Sequence, residues 1–229
     1  MPADTTSLGE ARALFADTVL GPEEIGRVLG VDPVVLAGAH SHLLAEVPYD
    51  AATLRAARAR GEILVFRVPT DGKAPLTLLR LRERFPDAIR AALFKGVGYL
   101  LKDDWTLGAE PFAAHATCQL AWRLVHREPI PSTCNLSYAL QDAALASYAA
   151  SIGREDRLSR RSAIEIVYDT LLFERVRGIR LLTHAWDWSD TPTADGGYVT
   201  AGEFGADGLH VLGYSRAVRF GTLGVCPQH

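Results

Sequence analysis

Residues able to do metal, acid–base or nucleophilic chemistry cluster in four places along this chain of 229 residues. His40-Ser41-His42 offers two imidazoles, but residues i and i+2 of a helix face different ways and no Cys or acid stands at ligand spacing. Cys118, His126 and Cys134 lie within 17 residues. Their spacing matches no common zinc pattern, and they read as buried thiols and a strand histidine. Glu165 and Asp169 share a helix face at i, i+4, where paired carboxylates usually cap the helix or pair with Arg161 or Arg177. The fourth place is HAWDWSDTPTADGG (184–197), which sets Trp186 and Trp188 among Asp187, Asp190 and Asp195. Aromatics interleaved with short polar residues suit a recognition loop. On a strand, the same two tryptophans at i, i+2 would plug a core from one face. The chain has no G-x-S-x-G elbow, no Walker-type glycine loop, no G-x-G-x-x-G after a strand and no H-E-x-x-H. No cofactor and no metal site is therefore expected, and an enzyme reading would rest on His126, His184, Asp187 and Asp190.

Composition narrows the classes further. The chain is 48% hydrophobic and 22% charged, an ordinary globular balance, with a formal net charge of −3 that argues against nucleic acid or acidic membrane as partner. No apolar run reaches membrane-spanning length, and the first twelve residues lack the basic and apolar regions of a secretory signal. Three widely spaced cysteines suggest reduced thiols and a cytoplasmic setting, with a Cys118–Cys134 bridge as the alternative. The stretch PEEIGRVLGVDPVVL (22–36) has a helix–Gly–helix layout, so a DNA-binding accessory role is a further alternative. Its second helix would begin on Asp32 without a base-reading side chain, which favours a plain helical hairpin.

The elements that must position these residues change character along the chain. Helical spacing and start signals predict helices over 7–20, 22–30, 32–44 and 50–60, an all-helical front of residues 1–61. From Gly61 the period changes: 63–69 reads as a strand, 70–73 as a turn, 75–85 as a returning strand running into a helix, and 86–101 as a helix followed by a loop at 103–105. A strand over 121–131 and helices over 136–152 and 161–182 follow, the last with Ile164, Val167, Leu171, Val176 and Ile179 on one face. Eight of the 20 glycines fall between Gly196 and Gly224, which makes helix improbable there. Short strands at 198–204, 209–214 and 217–226 are expected instead, with Asp195-Gly196-Gly197 and Asp207-Gly208 as turns. The expected class is α+β: a helical subdomain at 1–61, then an α+β domain at 62–229 that ends in a small, Gly-rich antiparallel region, the recognition segment 185–229.

The run RRSAIEIVYDTLLFERVRGIRLL, the WDWSD and DGG segments, YVTAGEFGADGL and TLGVC together resemble a group of uncharacterised bacterial proteins. Their layout in turn resembles the variable proteins of diversity-generating retroelements. That resemblance implies a C-type-lectin-like C-terminal scaffold with a hypervariable segment near its end. Adenine-directed mutagenesis in such systems disfavours Lys, Gln, Glu, Met and Trp. Residues 189–227 hold one of these, Glu203, against 23 in the whole chain. The Gly-Gly-Ser-Trp type of motif common in such domains is absent. The resemblance implies diversified positions at His210, Leu212, Tyr214, Ser215, Arg216, Val218, Arg219 and Phe220, on a scaffold of Gly202, Phe204, Gly208, Leu209, Leu223, Gly224 and Val225. The expected function is a non-enzymatic module binding a protein or small ligand at that surface, with Trp186 and Trp188 contributing and self-association left open.

Overall fold

A run of apolar residues on every side of a helix calls for cover on every side. Helix α8 (Ala163–Arg177) answers that description: every residue from Ile166 to Phe173 is buried. Its start is a capping box in which Ser162 N donates to Glu165 at 2.8 Å, and Gly178, left-handed at φ 68°, ends it. In the computed structural model, which describes residues 5–90, 109–154 and 158–229, α8 lies against two sheets at once.

The first sheet has the order β2–β4–β6, with β2 (Val19–Leu20) parallel to β4 (Glu62–Arg67) and β6 (Ala121–His126) antiparallel to it. The second has the order β10–β7–β8–β9–β5. Here β7 (Trp186–Pro192), β8 (Tyr198–Gly205) and β9 (Gly208–Tyr214) are antiparallel, and β10 (Leu223–Gly224) and β5 (Ile89–Arg90) add in parallel at the two edges. β1 (Thr6–Ser7) and β3 (Glu46–Val47) form a separate two-stranded ribbon. The class is α+β. The first 60 residues supply α1 (Leu8–Phe15), α2 (Pro22–Leu29), α3 (Pro33–Ala37) and α4 (Ala51–Ala59). They also supply β2, and one hydrophobic core runs from Leu8 to Cys226.

Several expectations need correction. The first helix stops at Phe15 and passes through a 3-10 turn (Ala16–Thr18) into β2, so the front is not all helical. The third helix ends at Ala37, before Gly38 at φ 54°, and Ser41–Leu44 is a separate 3-10 turn. The returning strand shrinks to one bridge, Thr70 to Pro75, before α5 (Leu78–Arg84). Residues 86–90 form a turn and β5 rather than helix, because Ile89 pairs with Leu209. The remainder of that expected helix and the 103–105 loop lie outside the described residues. Helix α8 ends before Ile179, which is exposed. In the tail, 184–197 contains a strand rather than a loop, and the expected 217–226 strand reduces to β10.

Burying α8 between sheets also buries its charges, and the fold satisfies them. Arg67 from β4 meets Asp169 with Nε–Oδ1 at 2.8 Å and Nη2–Oδ2 at 2.5 Å, and also reaches Glu165 and Gln228. Arg161 donates to Asp169 at 2.8 Å and to Asp187 at 2.8 Å. The other oxygen of Asp187 accepts from Cys226 N at 2.8 Å. Burial alone would drive Arg67 and Arg161 toward neutrality, but the carboxylates of Asp169, Glu165 and Asp187 hold both guanidinium groups charged. The chain of partners runs unbroken from β4 through α8 to β7 and residue 226.

Candidate functional site

Strand alternation decides the roles of the tail residues. Trp186 and Trp188 point to one face of β7 and are buried, while Asp187 points to the other, toward Arg161. With Leu212, Tyr214 and Leu223 the two tryptophans form a second apolar cluster, against which Tyr138, Tyr198, Val218 and Phe220 pack. They plug a core and do not display a surface. The backbone fits this closely: a Cβ on Gly202, paired opposite Trp186, would stand 2.1 Å from Ala185 O. The strand–turn–strand at 205–208 uses Gly208 at φ 111°.

The eight positions expected to be displayed divide at Tyr214. His210, Leu212 and Tyr214 are buried, because β9 is an interior strand flanked by β8 and β5. Ser215, Arg216, Val218, Arg219 and Phe220 lie in the loop between β9 and β10, with Arg216 and Arg219 exposed and the other three half-buried. The scaffold residues Phe204, Leu209, Leu223 and Val225 are all buried.

That loop is held at both ends and in its middle. Tyr138 N donates to Arg216 O at 3.0 Å, Asn135 N to Phe220 O at 3.2 Å, and Val218 N to Ser215 O at 3.0 Å. Arg216 lies over the Tyr198 ring at 4.9 Å and donates to its hydroxyl at 3.2 Å. Tyr198 stacks on Tyr138 at 4.0 Å and 13°, and on the inner side Arg160 lies 4.0 Å over Tyr138. Two arginines thus bracket two stacked tyrosines, a cation–π ladder from the buried Arg160 to the exposed Arg216. Burial pushes the Tyr138 phenol up to about 12. Tyr138 opens α7 (Tyr138–Ser151), so the loop rests on a helix start as well as a sheet.

The acid–base groups first named in this region do not converge. Asp187 is an ion-pair partner, Asp195 accepts from Thr193 and from Gly197 N, and His184 and Asp190 are exposed. His126 is elsewhere, paired across β4 and β6 with Glu62. Glu62, Tyr148 and His229 gather around it, a set that residue spacing could not disclose because only the β4–β6 register assembles it. In the helical hairpin, Asp32 caps the five-residue α3, whose exposed residues include Val34 and Val35 and no base. Among the described residues no group of three His, Cys, Asp or Glu side chains is arranged to hold a metal ion, and no helix is long and apolar enough to cross a membrane.

No family model, no curated protein and no solved structure matches the chain.

Proposed function

We propose that this protein is a binding module whose recognition surface is the 215–222 loop, supported by the Tyr138–Tyr198 stack. One observation carries the reading: the loop is exposed or half-buried along its length while the residues on either side of it, Tyr214 and Leu223, are buried. A rigid base with exchangeable side chains on an anchored loop is what recognition of varied partners requires. Arg216 and Arg219 suit a partner, protein or small ligand, that presents carboxylates or other anionic groups. The overall charge of −3 sets the chain apart from nucleic-acid binders. Cytoplasmic residence is part of the proposal, supported by Cys118, Cys134 and Cys226 all being free thiols, as a reducing compartment would keep them.

The resemblance to retroelement variable proteins narrows to Ser215, Arg216, Val218, Arg219 and Phe220. Sequencing the DNA around the coding region tests that part. A near-copy of the codons for 215–220 beside a reverse transcriptase is expected, and a coding region with no such copy would overturn it. A display library randomised at the same five positions and selected on unrelated acidic proteins tests the binding role. Folded binders carrying changes only in the loop are expected. Binders that all depend on changes outside it would refute the role.

A further inference from the structure

The end of α4 and the starts of two loops enclose a cleft of about 570 Å³, far from the tail in sequence, lined by Arg60, His126, Arg127, Glu128, Ile130 and Tyr148 among others. That volume suits a small metabolite. Local structure explains its walls. Arg60 ends α4, Gly61 at φ 77° turns the chain, and Glu62 begins β4 directly opposite His126, the last residue of β6.

Glu62 is fully buried and bridges two imidazoles. Its Oε1 lies 3.2 Å from His126 Nε2 and 2.6 Å from Arg60 Nε, and its Oε2 lies 2.9 Å from His229 Nε2. Burial by itself would raise the Glu62 carboxyl, but the hydrogen bonds from the two histidines outweigh it and hold the group well below the usual carboxylate range. Tyr148 OH lies 3.5 Å from the same His126 Nε2, and burial raises its phenol, so it stays protonated. With its Nε2 proton donated to Glu62, the His126 ring is fixed in orientation and tautomer, which leaves Nδ1 as an acceptor for a ligand. A cluster that only stapled β4 to β6 would not need its histidine on a cleft wall; His229, with its side chain 1% exposed, does that stapling.

The charges around the cleft define the ligand. Arg127 lines the cleft half-buried, its guanidinium 5.9 Å over the Phe173 ring, and Arg60 lines it too, with Nε held by Glu62 and Nη2 buried. Glu128, the acidic residue of the lining, has its carboxyl raised by desolvation, with Arg127 and His184 pulling it back. We propose that the cleft is a binding site for a small oxyanion-bearing metabolite, a carboxylate or a phosphate monoester. Its anionic oxygens meet Arg127, and its hydroxyl donates to His126 Nδ1.

Nitrogen-edited NMR of the histidine rings in the full chain tests this, with inorganic phosphate and malate, a hydroxy-carboxylate, titrated separately. The expected result is a saturable shift of the His126 signals with one or both anions and stationary His229 signals. Arg127→Ala, which keeps the Glu62 cluster intact, is expected to weaken that response about tenfold. The probe that saturates tells phosphate from carboxylate. No saturable shift with either anion would overturn the proposal. So would a shift of equal affinity in Arg127→Ala, or one shared by His229 and the exposed histidines.

Discussion

Arg67 and Asp169 meet side-on between β4 and α8, with both nitrogen–oxygen contacts at hydrogen-bond distance and each side chain no more than 1% exposed. Removing one partner strips the other of its bidentate counter-charge in the core, leaving Asp169 with Arg161 alone or Arg67 with Glu165 alone, which costs up to about 3–5 kcal/mol. Arg67→Met and Asp169→Leu are each expected to lose that much in denaturant unfolding. The double variant is expected to lose less than the sum, because the shared penalty is counted once. Additive losses would show that the two side chains act independently.

The buried half of the tail is expected to behave as core. Leu212→Ala and Leu223→Ala should each cost about 2–5 kcal/mol, since both side chains are fully buried against Trp186 and Trp188. Calorimetric melting of the two variants checks this.

Gly202 and Gly208 are expected to resist substitution for different reasons. Gly202→Ala puts a methyl against the Ala185 carbonyl, an overpacking that costs about 1–3 kcal/mol or more. Gly208→Val is penalised by its φ of 111° and by backbone atoms of Ala88 only 3.1 Å from a Cβ. Gly221, with open space around it, is the control: Gly221→Ala should leave the melting temperature unchanged.

Glu62 gives an acid-side signature. Its folded carboxyl is depressed below the ordinary 4.5, so the stability it contributes is fully present above that value and is lost as pH falls through it toward the folded value. In Glu62→Gln the fall of stability between neutral pH and pH 3 should be shallower than in the parent chain, as measured by urea unfolding across that range. Parallel curves would show that Glu62 does not titrate differently in the folded state.

Much of the fold was legible where local signals are strong. Pro22 with two acids marks α2, Asp50 caps α4, and the apolar runs of β4 and β6 stand out between turns. Helix α8 was legible as a helix, but its expected single apolar face was not found, because contact with two sheets buries all sides. The two-residue strands β2 and β10 carry no periodicity to read; pairing alone defines them. The tail's glycines signalled strands correctly. They could not show that β9 is interior, since the covering strand β5 comes from residues 89–90, over a hundred positions earlier. Glu165 and Asp169 met Arg161 and Arg67 because i, i+4 spacing on a helix puts them on one face, whereas the Glu62–His126 pairing depends on a sheet register that no local pattern encodes.

The central claim is that 215–222 is a replaceable loop on a fixed base. The most direct measurement is the melting temperature of the fourfold variant Ser215→Ala, Arg216→Ala, Val218→Ser and Arg219→Ala, beside Tyr214→Ala alone. The account predicts that the fourfold variant melts cooperatively within several degrees of the parent, the exposed Arg216 and Arg219 changes being worth about 0.5 kcal/mol or less each and the half-buried Ser215 and Val218 changes about 1 kcal/mol or less each. Tyr214→Ala, emptying a buried site against Trp186, should lose about 3–5 kcal/mol. A fourfold variant that unfolds as readily as Tyr214→Ala would contradict the account and make the loop part of the core.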